Sequence, residues 1–328
     1  MRRRSEAPNV GDMETSVVVA TAYGGPEVLS LIDVTLADPK PGEVLIDVRA
    51  AGTNPIDYKL YSGSYGDDPS KLPMRLGFEA AGVVQSLGGE VVGPSGPIHP
   101  GDEVVVFRAL GAYASAIVAS ASDVLAKPSS MSFEEASGLM LTGTTAVHAL
   151  KAASVSAGDV VVLHGAAGGV GLIAVQLAVA DGVKVIATAG EGQHDLLRSL
   201  GAEPVVYGNG LLERIRTLAP EGVDAAIDLV GTDEAGDVSV ALVADHDRIV
   251  TIAGSARSGT LGIKAIGGGP GADPGTAIRA AARLELIRRV EDGALKVFVE
   301  ASYPLSEVAR AHRELADGHA HGKIVLIP

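Results

Sequence analysis

The sequence predicts an α/β protein in which a doubly wound parallel sheet is joined to a second, β-rich unit. Strands and helices alternate from about residue 139 to residue 265, which is the rhythm of a parallel sheet with helical crossovers. The first third instead consists of short β-type runs divided by Gly and Pro, and it predicts no helix before Ser132. A glycine-rich turn at residues 165–171 joins a buried strand to a helix.

The first part is read as a series of strands followed by a helix start. The predicted strands cover residues 17–20, 29–34, 44–50, 80–87 and 103–107. Turns are expected at residues 39–42 and 94–101, where Pro and Gly cluster. Ser132 is then predicted as an N-cap, because Glu134 and Glu135 fall in the first turn that follows it.

The second part predicts five parallel strands, which begin near Val160, Val183, Val205, Ala225 and Arg248. A helix over residues 277–289, a strand over 296–300, a helix over 305–317 and a strand over 323–327 follow. This last part is expected to return to the first unit. The predicted division is a flexible extension at 1–15, a β-rich domain at 16–138 and 290–328, and a nucleotide-binding domain at 139–289. Met13 is an alternative start residue.

The glycine-rich turn is the strongest functional signal in the chain. The apolar run 160–163 precedes it, and an apolar pattern of helical period continues through Ala180. Such a turn presents free N–H groups and the positive end of a helix dipole to a pyrophosphate. Because Ala166 stands at the first position, the motif is A-x-G-x-x-G. We predict dinucleotide binding; the alternative is a tight chain reversal without a ligand.

Composition excludes several classes of function. A net charge of −14 argues against a nucleic-acid partner, and no apolar run has membrane-spanning length. The absence of Cys excludes disulfides, thiolate nucleophiles and zinc sites with sulfur ligands, and it agrees with a cytoplasmic location. The histidines show no ligand spacing, so His148, His164, His312, His319 and His321 are interpreted as packing or surface residues.

From residue 17 to residue 327 the chain resembles the zinc-free quinone oxidoreductase (ζ-crystallin-like) branch of the medium-chain dehydrogenase/reductase superfamily. The resemblance is carried by the motif around residues 158–176, by Asn-Pro-Ile-Asp-Tyr-Lys at 54–59, by Gly-Phe-Glu at 77–79 and by Gly-Lys-Ile-Val-Leu at 322–326. Val162 and Val179 depart from the usual motif without removing chemistry. The resemblance implies a Rossmann domain and a GroES-like domain, with the cofactor between them.

The resemblance also implies that no metal takes part. Asn54 and Phe78 stand at two positions that hold metal ligands in the zinc-dependent relatives. Without zinc, a simple alcohol lacks the Lewis acid that stabilises its alkoxide, whereas a quinone or enone tolerates that absence. Asn54, Tyr58 and Lys59 are therefore the predicted catalytic residues at the acceptor oxygen. Tyr61 and Tyr65 are expected to form an aromatic wall with Tyr58 and Phe78.

NADPH is the predicted cofactor. The second strand of the parallel sheet ends in Ala189-Gly190, where NAD-specific domains carry an acidic residue, and this leaves space for a 2′-phosphate. Glu191 follows at once and is interpreted as pointing to solvent. The predicted cofactor-binding residues are Thr145, Gly165, Ala166, Ala167, Gly168, Gly169, Val170, Gly171, Gly190, His194, Arg198, Tyr207, Thr232, Ala253, Gly254, Ser255, Ile266, Gly267 and Lys323.

Alternatives stay open at three of these residues. Thr145 is equally read as a hydroxyl that bonds helix backbone, Arg198 as a solvated helix residue, and Lys323 as the first residue of an edge strand.

For the whole chain, the main prediction is NADPH-dependent quinone reduction. A reductase of α,β-unsaturated carbonyls, enoyl reductases included, and a non-catalytic NADPH-binding redox sensor are the alternatives. A homodimer is expected, paired through an edge strand near residues 260–266.

Overall fold

The computed structural model describes residues 13–253, 255–318 and 320–328. Strand β1 (Met13–Ala20) begins within the predicted extension 1–15, so that prediction is wrong for its last three residues. The hydroxyl of Thr15 is buried and accepts a hydrogen bond from the N–H of Ala116 at 2.8 Å, which ties this segment to a later strand. Residues 1–12 lie outside the described residues.

Residues 13–126 form ten strands. After β1 come β2 (Leu29–Leu36), β3 (Glu43–Gly52), β4 (Met74–Arg75), β5 (Glu79–Leu87), β6 (Val92–Gly93), β7 (Gly96–Pro97), β8 (Glu103–Phe107), β9 (Ala116–Ser120) and β10 (Val124–Ala126). The five predicted strands are confirmed, and four of them extend beyond the predicted limits. Three strands form a small sheet in the order β2-β1-β4, while β10-β8-β5-β3 form one end of a larger sheet.

A short helix, α1 (Pro55–Tyr61), corrects the prediction that no helix precedes Ser132. Asn54 occupies its N-cap position, Pro55 its first turn, and Asp57 its third position. The carboxylate of Asp57 accepts a hydrogen bond from the N–H of Asn54 at 2.8 Å, as in a capping box. Proline is favoured at the first position of a helix, where Pro55 lies, because the N–H that it lacks would have no partner there. The helix therefore has strong local start signals despite its seven residues.

A six-stranded parallel sheet forms the second part. Its strands are β11 (Val160–His164), β12 (Lys184–Thr188), β13 (Glu203–Val205), β14 (Ala225–Asp228), β15 (Ile249–Thr251) and β16 (Lys264–Ala265). Their order, β13-β12-β11-β14-β15-β16, reverses direction between β11 and β14. This confirms the doubly wound α/β prediction. In such sheets ligands bind outside the carboxyl ends of the strands at the reversal point.

Helices cover both faces of this sheet. Helix α2 (Phe133–Ser137) instead packs against β3 and β5 of the larger sheet. The helices of the parallel sheet are α3 (Met140–Ala152), α4 (Gly169–Ala180), α5 (His194–Ser199), α6 (Leu211–Leu218), α7 (Asp233–Leu242), α8 (Ser255–Leu261) and α9 (Thr276–Glu291). Alternate residues of β11 enter different cores: Val161 packs with residues of α3, α4 and α9, whereas Val162 packs with residues of α6 and α7. Ser132 caps α2 with a capping box, as predicted. Within the three described stretches, no helix has the length and apolar character that crossing a bilayer demands.

The last segment contains β17 (Val299–Pro304), α10 (Val308–Ala316) and β18 (Lys323–Ile327). The predicted strand at 296–300 lies three to four residues too early. Strand β18 lies between β17 and β3 in the larger sheet, and its Val325 pairs with Gly52. Lys323 therefore does not begin an edge strand. The division of the chain into domains at the predicted residues stays a prediction.

Candidate active site

A large cleft of about 1210 Å³ opens at the carboxyl ends of the parallel strands and reaches α1 on its other side. The turn of residues 165–171 borders it where the strand order reverses, after β11. All three predicted catalytic residues line this cleft. So do Thr145, Gly165, Ala167, Gly168, Gly169, Val170, Gly171, Gly190, Tyr207, Thr232, Ala253, Ile266, Gly267 and Lys323 among the predicted cofactor residues.

The geometry of the turn leaves no room for side chains at two glycines. Gly165 has a φ of +74°, and a Cβ there would lie 2.4 Å from the side chain of Val230. A Cβ on Gly171 would lie 2.5 Å from the carbonyl oxygen of Gly165. Gly168 is the N-cap of α4 and has an extended backbone, with φ −77° and ψ 170°. The first N–H groups of α4 thus face the cleft without intrahelical partners, which suits an anion.

Three predicted cofactor residues do not line the cleft. Ala166 is fully buried beneath the turn, where its N–H donates to the carbonyl of Thr188 at 3.0 Å. The ring of His194 lies 3.4 Å from the carbonyl oxygen of Ala189. Arg198 forms an exposed ion pair with Asp195 at 3.0 Å, three residues away on the same helix. In this structure Arg198 is thus a solvated helix residue, and its contact with the cofactor stays a prediction.

Two further predicted residues are placed only in part or not at all. Gly254 lies outside the described residues, and Ser255 is described only as the first residue of α8. Thr232 begins α7, where its hydroxyl accepts a hydrogen bond from the N–H of Ala235 at 3.2 Å. Among the described residues that border the cleft near Gly190, the side chain of Tyr207 is the most open, with 60% of its surface exposed. Glu191 is exposed, as predicted.

A buried ion pair lies beneath the side of the cleft that α1 forms. The Lys323 ammonium is 3.0 Å from the Glu79 carboxylate, and these residues are only 3% and 1% exposed. The ammonium also donates to the carbonyl of Thr53 and to the amide oxygen of Asn54, both at 2.7 Å. The second oxygen of Glu79 accepts from the N–H of Leu141 at 2.8 Å. Every charged atom of the pair therefore has a partner, as a buried ion pair requires.

This network fixes the side chain of Asn54. Its amide nitrogen donates to Glu79 at 3.0 Å and to the carbonyl of Gly52 at 3.3 Å, while its amide oxygen accepts from Lys323. Both N–H groups and the oxygen are thereby engaged within the protein. The structure thus corrects the prediction for Asn54: it positions α1 and has no free donor for an acceptor oxygen.

The α1 side of the cleft has an aromatic wall, with one change from the prediction. Tyr58, Tyr65 and Phe78 line the cleft, but Tyr61 is buried on the opposite face of α1 and stacks on His312. Burial, and then the neighbouring Tyr65, raises the pKa of the Tyr58 hydroxyl. This hydroxyl therefore stays protonated at neutral pH and is available as a hydrogen-bond donor.

Behind α1, four buried side chains form a second network that the sequence did not predict. Tyr61 bonds Nδ1 of His312 at 2.9 Å, Nε2 of His312 bonds the Tyr113 hydroxyl at 3.2 Å, and Tyr113 donates to Asp57 at 2.7 Å. Burial lowers the pKa of His312 to about 4, so the ring is neutral. Burial raises the pKa of Asp57 to about 7 even though hydroxyl and N–H donors surround it. Packing is thus the correct interpretation of His312.

His164 was predicted as a packing or surface residue, but it lines the cleft at the end of β11. Its Nδ1 lies 3.4 Å from the hydroxyl of Thr188, and its Nε2 is buried without a hydrogen-bond partner in the described part of the chain. Burial lowers its pKa to about 4. An orphaned buried nitrogen beside the glycine turn fits a site that a polar ligand completes. No described group of three His, Asp or Glu side chains is arranged to hold a metal ion.

Comparison with known proteins gives consistent matches. Residues 40–129 match the alcohol dehydrogenase GroES-like domain, and residues 200–326 match a family described as zinc-binding dehydrogenase. A quinone oxidoreductase of Pseudomonas aeruginosa is 34% identical, over 94% of this chain and 98% of its own length. The 2-methylene-furan-3-one reductase of Solanum lycopersicum is 32% identical, over 94% of this chain and 78% of its own length.

Among solved structures, the Escherichia coli quinone oxidoreductase complexed with NADPH is similar, with a TM-score of 0.82 and 30% identity. The match covers 95% of this chain and all of that one. The six-stranded sheet is thus Rossmann-like, and the β-rich part is GroES-like. The matches to these two quinone oxidoreductases extend over nearly the whole length of both chains. The chain is therefore an enzyme, and the non-catalytic alternative is set aside.

Proposed function

Because the chain belongs to the quinone oxidoreductase branch of the medium-chain dehydrogenase/reductase superfamily, we propose that it transfers hydride from NADPH to a quinone without a metal. The observation that carries the proposal is one cleft that contains both an anion-binding helix start and an aromatic acceptor wall. The first suits a pyrophosphate. The second suits a planar acceptor, and its Tyr58 hydroxyl is protonated at neutral pH because its pKa is raised.

NADPH would lie with its pyrophosphate against Gly168 and the first turn of α4. Gly190 leaves space for the 2′-phosphate, since a Cβ there would meet no atom within 4 Å. Thr232 and Ala253, which follow β14 and β15, would border the rest of the dinucleotide. The E. coli relative, complexed with NADPH, supports this choice of nucleotide over NADH. When bound, the cofactor supplies the hydride; the protein supplies position, exclusion of water and a proton donor.

On the acceptor side, Tyr58 would donate a hydrogen bond to the oxygen on which negative charge develops. Lys59, the next residue on α1, would add a positive charge at the same opening. Asn54 would act indirectly: its bonds to Glu79 and Lys323 hold the start of α1 in place. A metal ion is not required for this chemistry, because conjugated acceptors need no Lewis acid to accept hydride.

Reduction of α,β-unsaturated carbonyls is the second candidate, and the tomato relative, a 2-methylene-furan-3-one reductase, favours it. A steady-state assay of NADPH oxidation with 1,4-naphthoquinone and with an enone separates the candidates. We expect turnover with the quinone that a chelator leaves unchanged. No turnover with either acceptor, or activity lost together with bound zinc, would refute the proposal.

Tyr58→Phe tests the role of the hydroxyl. We expect turnover to fall by roughly tenfold or less, because one polarising hydroxyl is lost and water can replace it. NADPH affinity should stay near that of the parent, since the Tyr58 hydroxyl lies on the acceptor side. The measurements are a nucleotide titration and steady-state kinetics on both acceptor classes. Equal rates for parent and variant on both classes would remove Tyr58 from the mechanism.

We further propose a homodimer that pairs through the edge of the parallel sheet. The edge strand is β16, which covers Lys264–Ala265 and is thus shorter than the predicted segment 260–266. Residues 260 and 261 instead end α8. The end of a sheet is a natural pairing surface. At this edge the carbonyl of Ala265 already accepts the N–H of Asp273 at 2.9 Å, so a partner strand would have to pair beside that contact. Light scattering at micromolar concentration would measure the mass.

A further inference from the structure

The cleft contains an unusual excess of positive charge for so acidic a protein. Among the described residues, its cationic lining consists of Lys59, Arg108, Arg279, Arg283 and Lys323. Two of these charges are neutralised by carboxylates of the protein: Lys323 by Glu79 at 3.0 Å, and Arg283 by Asp123 at 3.6 Å. Lys59 lies on α1 in the proposed acceptor site. The remaining two arginines call for another explanation.

Among the described residues, Arg279 has polar contacts but no carboxylate within 4 Å. Its guanidinium donates to the Thr145 hydroxyl at 2.8 Å and to Nδ1 of His148 at 3.3 Å. The carboxylate of Asp273 lies on the far side of His148, 3.3 Å from Nε2 of the ring, and it is more than 4 Å from the Arg279 guanidinium. Two neutral groups therefore hold the guanidinium in a fixed orientation at the cleft. Its second terminal nitrogen remains available in the part of the chain described.

Arg108 lines the same cleft. It follows β8 with a φ of +71°, a left-handed conformation that is uncommon for a residue with a side chain. Its N–H donates to the carbonyl of Phe78 at 2.8 Å, which places it beside the aromatic wall. Burial, and then the charge of Arg108, lowers the pKa of Arg279, while the more distant charge of Asp273 opposes this shift. Two cations that repel each other across a cleft are stabilised when an anion binds between them.

That anion is not the cofactor pyrophosphate, which has its own place at the start of α4. Arg108 is joined instead to Phe78 of the aromatic wall, on the side where the acceptor would lie, and Arg279, held by Thr145, lines the same cleft. Arginine presents a planar fork of N–H groups that matches the two oxygens of a carboxylate. We propose that Arg108 and Arg279 bind a carboxylate on the acceptor, so that the enzyme prefers acidic quinones or enones over neutral ones. This inference rests on the proposed function.

A matched pair of acceptors tests it. One is 3-(1,4-naphthoquinon-2-yl)propanoate, and the other is its methyl ester; the carboxylate is not conjugated with the quinone, so the two rings are equally reducible. We expect kcat/KM to be about 10- to 100-fold higher for the acid, the range that hydrogen bonds to a charged group provide. In Arg279→Gln and in Arg108→Gln this ratio should fall to near one.

Arg283→Gln is the matched control. It removes an arginine one helical turn from Arg279 that also lines the cleft, but whose charge Asp123 already balances. Its ratio of acid to ester should equal that of the parent. Should Arg279→Gln fail to fold, Arg108→Gln decides alone, because the Arg108 side chain is exposed and has no described side-chain partner to lose.

The outcomes separate this inference from the proposed function. Equal kcat/KM for acid and ester in the parent overturns the inference while the reductase function stands. A preference that survives in both variants, or a variant that loses NADPH affinity instead, also overturns it. If neither compound is reduced, the proposed function fails. Calorimetric titration of the acid and the ester then decides, since tighter binding of the acid that is lost in both variants supports the carboxylate site and equal binding refutes it.

Discussion

Gly168→Asp is expected to abolish NADPH binding and to leave the fold intact. The backbone of Gly168 is extended, and a Cβ there would meet no atom closer than 3.6 Å, so a side chain fits. Aspartate is moreover a favoured N-cap residue. Its carboxylate would bond the free N–H groups of α4 and occupy the place of the pyrophosphate. Repulsion and exclusion together should weaken NADPH by on the order of a few-hundred-fold or more.

The neighbouring glycines provide the contrast. Gly168→Ser is the matched control, because serine also caps a helix but has no charge; it should cost much less affinity. Gly171→Ala is unsuitable, since its Cβ would lie 2.5 Å from a backbone oxygen and would disturb the turn itself. Affinity is measured by titration with NADPH fluorescence, and folding by thermal unfolding. A dissociation constant for Gly168→Asp within threefold of the parent would place the pyrophosphate elsewhere.

Lys323→Met is expected to destabilise the protein strongly. The substitution leaves the carboxylate of Glu79 buried and without its cationic partner, and breaking a buried pair in this way costs about 3–5 kcal/mol. Lysine and methionine are similar in length, so the loss reports charge more than volume. The free energy of unfolding is measured by equilibrium denaturation in urea.

The double variant Glu79→Gln, Lys323→Met shows whether the pair is the cause. With both charges removed, the loss should be smaller than for Lys323→Met alone, because no unpaired charge remains in the interior. A single variant within about 1 kcal/mol of the parent would contradict the assignment. So would a double variant that loses the full sum of both single effects, since independent sites add.

The glycine turn could be predicted because all its signals are local. A strand, a run of small residues and a helix lie within some twenty residues, and the observed β11 and α4 follow that pattern. Arg198 shows the limit of such reasoning. Its place in the sequence suggested a contact with the cofactor phosphate. In the structure the guanidinium instead forms an exposed ion pair with Asp195, three residues earlier on the same helix.

The elements that sequence reasoning missed are short or depend on distant residues. Helix α1 spans only seven residues, too few for a periodic pattern, although Asn54 and Pro55 were visible as start signals. Glu79 belongs to the Gly-Phe-Glu motif, but Lys323, with which it forms the buried ion pair, lies 244 residues away in the sequence. No local pattern predicts that contact. The hydrogen bonds of the Asn54 side-chain amide to Glu79 and Lys323 depend on the same pair, so the sequence could not predict them either.

The pairing of β18 with β3 has a consequence for the order in which the protein folds. The N–H of Thr53 bonds the carbonyl of Ile324 at 3.0 Å, across an interval that includes the whole parallel sheet. Contacts between residues so far apart form slowly, because a long loop must close first. During synthesis the end of β3 therefore waits as an unpaired strand edge, exposed to other chains. Most of β3 pairs with β5 and β9, so only its end depends on β18. We expect the parallel sheet to gain protection from hydrogen exchange before the N–H of Thr53, and the acceptor side of the cleft to be completed last.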